Sequence, residues 1–451
     1  MQRPGRLRVA LLAAAAVAFL WLFHCVGLQT WGFGRQNFAR LLGVALLIAA
    51  LPWLTRRLAP VRGRVTLVIA VLSLVLASLY VPPLVRETRD VVGQPLRAAD
   101  ASDIARNTHC AGTALLAGQN PYNTRCQLRG VVEPGPHVTV KGGVTRMFGM
   151  PYLYGYPYFP AMFLAYMPFR SLAAGFHSVR VANLAFLFLA SLGVAWLAWK
   201  VTPVGGRLLA VGTGLLAYWG NSVIPRELIG YGVTDILIAV LAIWAFVALA
   251  HRRILAAGVL LGLAQAAKLL PGPLLVLPAL AYLTTRRERL TLGTAYVGTS
   301  LLVVGPALAL SPGTFITSTI GFYLTHHAFG DTTAYYAYLA PGFRTVFSLV
   351  GYGLALGVAS MGFFVGRGRQ NLALPVAQAY AAYIVLTAFN RMAHLNYLWG
   401  VHSLGAAALV LGALASRDHA TRSTEVAEET ARDSQAMPMA RSTLPGAGGA
   451  R

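Results

Sequence analysis

Charge is scarce in this chain: 11% of its 451 residues are Asp, Glu, Lys or Arg, where a soluble domain carries roughly 25%. Acidic residues are the scarcest, 14 against 37 lysines and arginines, for a formal net charge of +23. So few charges, spread between apolar runs instead of gathered in a basic patch, exclude a soluble enzyme, a secreted domain and a simple nucleic-acid binder. Three cysteines are too few for a disulfide scaffold. Neither a P-loop nor a Gly-rich nucleotide fingerprint is present. Gly (46) and Pro (24) stand at ordinary levels, so nothing fibrous or low-complexity accounts for the composition.

What is abundant is apolar surface, 57% of residues. Runs such as Leu7–Leu28, Val65–Leu84 and Leu290–Leu310 match the hydrocarbon thickness of a bilayer. The chain reads as an all-α polytopic membrane protein. The first run, Val9–Leu28, follows Arg3, Arg6 and Arg8 and lacks a small-residue cleavage site, so it is expected to stay as a signal anchor. Lys and Arg are retained on the cytoplasmic side, which places Arg56, Arg57, Arg62 and Arg64 inside. The same rule puts His251-Arg252-Arg253, Arg286-Arg287-Glu288-Arg289 and Arg367/Arg369 inside.

Counting from these anchors puts residues 86–178 largely on the outer face. The Pro-broken piece Tyr158–Ala174 then cannot cross, and suits a re-entrant or interfacial helix. Helices are expected near Val179–Trp199, Leu208–Val223 and Val233–Ala250. The roughly 32 residues between Arg253 and Arg286 are too few for two crossings of about 20 each. Pro271 and Pro273 break them into a short hairpin tipped by Lys268-Leu269-Leu270-Pro271. Leu290–Leu310, Thr345–Val365, Ala373–Phe389 and Tyr397–Leu414 complete a bundle of about 12 crossings. Four regions follow: N-terminal helices (1–85), an outer loop with its interfacial helix (86–178), a transmembrane core (179–415) and a polar cytoplasmic tail (416–451).

Polar residues concentrate at the outer helix ends. In the outer loop, Asp103 opens a helical segment that runs on to Ala-Leu-Leu-Ala-Gly118-Gln-Asn120-Pro121-Tyr122. A carboxylate there serves either as an N-cap or as a general base facing an acceptor hydroxyl. Lys268 is a cation within an apolar run, an expensive placement that points to a cavity or a partner, with snorkelling at a helix end as the plainer reading. Arg226 and Glu227, near Asp235, form an ion pair or offer Arg226 to phosphate. His326, His327 and Asp331 lie among Tyr323, Tyr335, Tyr336 and Tyr338, a mixture that suits sugar stacking and equally an interfacial aromatic belt. Adjacent histidines lack helix-face spacing, so no metal site is assigned. Arg391, His394 and Asn396 cap the outer end of the penultimate helix. Cys110 and Cys126, 16 positions apart in an oxidising compartment, are expected to form a disulfide that closes a short loop, worth roughly 3 kcal/mol.

Three of these stretches resemble the glycosyltransferase 87 family. They are the acidic residue with its Gly118-Gln-Asn-Pro121-Tyr122 helix end, the Tyr154-Gly-Tyr156-Pro157-Tyr158-Phe159-Pro160 stretch, and Gly262-Leu-Ala-Gln-Ala-Ala-Lys268-Leu-Leu-Pro271. The resemblance implies a GT-C-like bundle and a membrane mannosyl- or arabinofuranosyltransferase fed by a polyprenyl-phosphate sugar. It implies Asp103 as the base, with Asp100 as the alternative, and Lys268 and Arg226 on the donor phosphate. Tyr122, Tyr156, His326, His327 and Asp331 would face sugar or acceptor, a glycan or glycolipid of the cell envelope. No resident cofactor is indicated, although a divalent cation is compatible. The implied location is the inner (plasma) membrane, with both termini cytoplasmic and the active site on the outer face. A transporter or flippase of lipid-linked glycans is the competing reading, but transporters commonly show inverted repeats and no repeat is visible here.

Overall fold

The computed structural model describes residues 102–123, 138–140, 143–145, 156–173, 175–202, 204–219, 225–321, 341–365, 372–389 and 395–412, with Val85 and Arg89. The expectations for the first three helices, Asp100, Cys126, His326, His327, Asp331, Arg391, His394 and the tail lie outside the described residues.

Helices dominate the described residues. A 14-residue helix, α1 (Asp103–Leu116), is followed by a small antiparallel ribbon, β1 (Val138–Val140) with β2 (Gly143–Thr145). The interfacial segment is a short helix, α2 (Pro160–Tyr166), started by Pro160 and continued as a 3-10 turn through Ser171. The long α3 (His177–Val201), α4 (Arg207–Trp219) and α5 (Ile236–Ala250) come next. The expected hairpin is α6 (Ile254–Ala267) and α7 (Pro271–Tyr282), with Lys268 leaving the helix in extended backbone. Pro271 stands at the first turn of α7, where its missing N–H costs nothing. Then follow α8 (Arg286–Leu310), α9 (Pro341–Ser360), α10 (Ala373–Phe389) and α11 (His402–Gly412). Helix α10 has the bounds expected from the sequence. The last expected helix is instead divided, Leu395–Trp399 and then α11.

Among the described residues three helices, His177–Val201, Arg286–Leu310 and Val346–Phe364, are long and apolar enough to cross a membrane. Their burial is inverted relative to a soluble protein. On α8 the apolar Leu301, Leu302 and Leu310 are more than half exposed, as are Phe343, Val346 and Leu349 on α9. A surface of this kind is stable only in hydrocarbon.

Small residues bring α6 against α8. A Cβ built on Gly258 would lie 2.6 Å from the Leu292 carbonyl oxygen and the Ala295 Cβ, and one on Gly262 2.6 Å from the Tyr296 carbonyl oxygen. The Ser300 hydroxyl donates to the Gly262 carbonyl at 3.1 Å. This is the small-xxx-small approach favoured where lipid removes any hydrophobic drive for helix association. Gly262→Ala must therefore push the two helices apart, with an expected loss of about 1–3 kcal/mol. A melting curve in detergent that matches the parent would contradict this account.

The charged ends are segregated. At one end, the Trp196 Nε1 donates to His251 Nε2 at 2.9 Å and Arg252 lies 3.8 Å from Glu288, whose carboxylate also completes a capping box with Thr285 at the start of α8. At the other end the Ser102 N–H donates to the Tyr231 carbonyl at 2.8 Å. That second end collects the polar groups described next.

Candidate functional site

The site grows from the loop before α5. Asn183 Nδ2 donates to the carbonyls of Leu228 (2.6 Å) and Val233 (2.9 Å), and Arg180 donates twice to the Gly230 carbonyl (2.6 and 3.1 Å). The Tyr166 hydroxyl, from α2, is bonded to Asn183 Oδ1 at 2.6 Å and to the Thr234 carbonyl at 3.1 Å. Gly232 takes φ +72°, which glycine alone adopts freely, and an ideal Cβ there would stand 3.1 Å from Ala105 of α1. This loop fixes Asp235 at the head of α5, with 1% of its side chain exposed.

Asp235 accepts from Lys268 at 2.5 Å, and the Lys268 side chain is 2% exposed. The ammonium also lies over the Tyr397 ring, 3.8 Å from its centroid, and 5.6 Å from that of Tyr158. Two opposite charges and an aromatic face thus compensate a cation that would be untenable alone at this depth. Lys268 is not a snorkelling residue. Asp235, placed by sequence proximity beside Arg226 and Glu227, is committed to a partner 33 residues away; the backbone of 225–230 is a π-turn, and the side chains of Arg226 and Glu227 lie outside the described residues.

The aromatic stretch joins the hairpin tip to α1. The Phe159 N–H donates to the Ala267 carbonyl at 3.3 Å. Tyr156 stacks edgewise on Tyr158 (5.5 Å) and Tyr122 (6.1 Å), its hydroxyl is 3.3 Å from Thr108 Oγ1, and the Tyr122 hydroxyl donates to the Tyr158 carbonyl at 3.0 Å. Burial pushes the Tyr122 and Tyr156 phenols up, so both remain protonated donors. Both are packed away from solvent, which makes them supports of the site as it stands rather than an open sugar platform.

At the start of α1 the sequence reading needs one correction. The N-cap is Ser102, whose hydroxyl accepts from the Ala105 N–H at 3.1 Å, and Asp103 is the first helical residue. The capping duty considered for Asp103 is thus carried by its neighbour; the Asp103 side chain lies outside the described residues. Further along, the Arg170 guanidinium donates to the His109 carbonyl at 2.7 Å. Burial, and then the Arg170 charge, depress the His109 imidazole to about 4, so it is neutral at physiological pH. Cys110 is disulfide-bonded, and Cys126, its expected partner, lies outside the described residues. Among the described residues no His, Cys, Asp or Glu cluster has the makings of a metal site.

Three sequence stretches far apart in the chain, at 103–122, 156–160 and 262–271, therefore meet around Lys268. Sequence reasoning missed Asp235 as the lysine's partner and Tyr397 as its aromatic cover. A lone Asp heading an apolar helix was the available signal for the first. No family model and no curated protein matches the sequence. Among solved structures, ArnT from Cupriavidus metallidurans bound to undecaprenyl phosphate is similar over 78% of this chain and 60% of that one, at 16% identity and a TM-score of 0.45. ArnT in the apo state is similar over 75% and 59%, at 16% identity and a TM-score of 0.43. This chain spans about 60% of the ArnT length, and so loose a likeness decides neither fold nor function.

Proposed function

We propose that this chain is an integral-membrane glycosyltransferase of GT-C type that moves a sugar from a polyprenyl-phosphate donor to a glycan or glycolipid acceptor. The observation that carries the reading is the meeting of the three family-like stretches at a buried, paired lysine. In the proposed reaction Asp103 takes the proton of an acceptor hydroxyl. The oxygen attacks the anomeric carbon, the bond from that carbon to the phosphate oxygen breaks, and the electron pair leaves with the lipid phosphate. Lys268, with Arg226, stabilises the charge that grows on the leaving group, the usual task of cations fixed in a water-poor site. Asp235 holds the ammonium in place for that task. Tyr122 and Tyr156 support the site from within, the segment of His326, His327 and Asp331 is assigned to sugar and acceptor, and no cofactor is assigned.

A mannose- or arabinose-type sugar, an envelope acceptor, an inner-membrane location and an outward-facing site complete the proposal. The test is a screen of radiolabelled polyprenyl-phosphate sugars with membranes that contain or lack the protein. Label is expected to move into an acceptor only when the protein is present. Purified protein that consumes none of the donors in detergent, yet moves a lipid-linked glycan across vesicles, would replace the enzyme with a transporter.

A further inference from the structure

Arg106 lies on the first turns of α1, three positions from Asp103, and is 7% exposed. Its Nε is buried with no hydrogen-bond partner. The neighbouring arginines behave differently: Arg170 and Arg180 spend their donors on the carbonyls of His109 and Gly230. Among the described residues the ion pairs are Lys268 with Asp235 and, at the opposite end of the molecule, Arg252 with Glu288. Neither carboxylate is left for Arg106. A guanidinium nitrogen buried without a partner is a costly arrangement for a fold to carry. The side chains of the nearest acids in sequence, Asp100 and Asp103, lie outside the described residues, and the proposed reaction keeps the Asp103 carboxylate for the acceptor hydroxyl.

We infer that Arg106 is the anchor for a phosphate, supplied by the polyprenyl-phosphate donor; this rests on the reading under Proposed function and adds to it the group that carries the net charge. Lys268 shares its charge with Asp235, so part of the attraction for an incoming phosphate falls to another cation. Arg106 presents a whole charge, in a planar fork that matches phosphate oxygens. Its position also favours an anion. Helical side chains lean toward the N-terminus, where the aligned peptide dipoles of α1 add a partial positive charge. The helix is tied to the lysine by Thr108 and Tyr156, then Tyr158, and to the Asp235 loop by Ala105 against Gly232.

The test is thermal melting of the full chain in detergent, titrated with undecaprenyl phosphate, with undecaprenol and with inorganic phosphate. The parent is expected to be stabilised by the lipid phosphate in a concentration-dependent way, and not by undecaprenol. Arg106→Met without ligand should melt at or above the parent, because it removes a buried nitrogen that has no partner. It should need at least about tenfold more lipid phosphate for the same shift, with Arg106→Lys in between. A lipid-phosphate response as strong in Arg106→Met as in the parent overturns the inference, as does a lowered ligand-free melting temperature with the response intact, which marks a structural arginine. Inorganic phosphate acting as strongly as the lipid overturns the donor assignment. Sugar transfer by the parent together with unchanged binding in Arg106→Met removes the anchor and keeps the glycosyltransferase. Arginine-dependent binding with no transfer from any donor does the reverse.

Discussion

Asp103→Asn is expected to cut sugar transfer by about 10²–10⁴-fold, the usual worth of a positioned general base. The amide matches the carboxylate in size but cannot take a proton. The fold should be nearly indifferent to the change, because Ser102, through its hydroxyl on the Ala105 N–H, caps α1. What the helix forfeits is one negative charge near its N-terminus, about 0.3–1 kcal/mol. The measurement pairs the initial rate of transfer with a melting curve on the same preparation. Activity near the parent level in Asp103→Asn, with loss in Asp100→Asn, moves the base by one turn. Activity in both variants ends the carboxylate mechanism.

The largest stability effect belongs to the Lys268–Asp235 pair. Lys268→Met and Asp235→Leu, made singly, each strand a charge that is 1–2% exposed, and each is expected to cost about 3–5 kcal/mol. Made together they leave an apolar contact beneath the Tyr397 ring and should recover most of that loss. The double variant separates structure from chemistry: folded, it is expected to be inactive in transfer. The readout is a double-mutant cycle of melting in detergent. Additive losses would mean that the two side chains do not compensate each other, and the account of the site would fall with the pair.

Much of the architecture was legible because bilayer hydropathy and proline leave strong local marks. Ala373–Phe389 and the interruption at Lys268–Leu270 could be read directly. The short helix at Pro160–Tyr166 was also legible, since the prolines within Tyr158–Ala174 leave no room for a long one. Helix ends were less so. The break after Trp399 divides a run with no proline to announce it. In the site, Lys268 declared itself as a charge among apolar residues. Asp235 did not, because its partner comes from another helix and one sequence holds no record of which distant groups touch. Arg106 was invisible for a related reason: an arginine in a polar loop looks ordinary until its burial and its unpartnered Nε are known.

The two arms of the hairpin have 14 and 12 residues, so at about 1.5 Å per residue the longer reaches about 21 Å. A hydrocarbon layer is near 30 Å thick, which leaves Lys268 several ångströms beneath the surface toward which it points. In the proposed reaction a phosphate headgroup reaching that depth must leave its own leaflet plane and draw a dimple of water and neighbouring lipids with it. Bilayer elasticity thereby becomes part of the energetics of turnover. Short-chain, easily thinned membranes lower the work of that descent, and stiff, thick ones raise it.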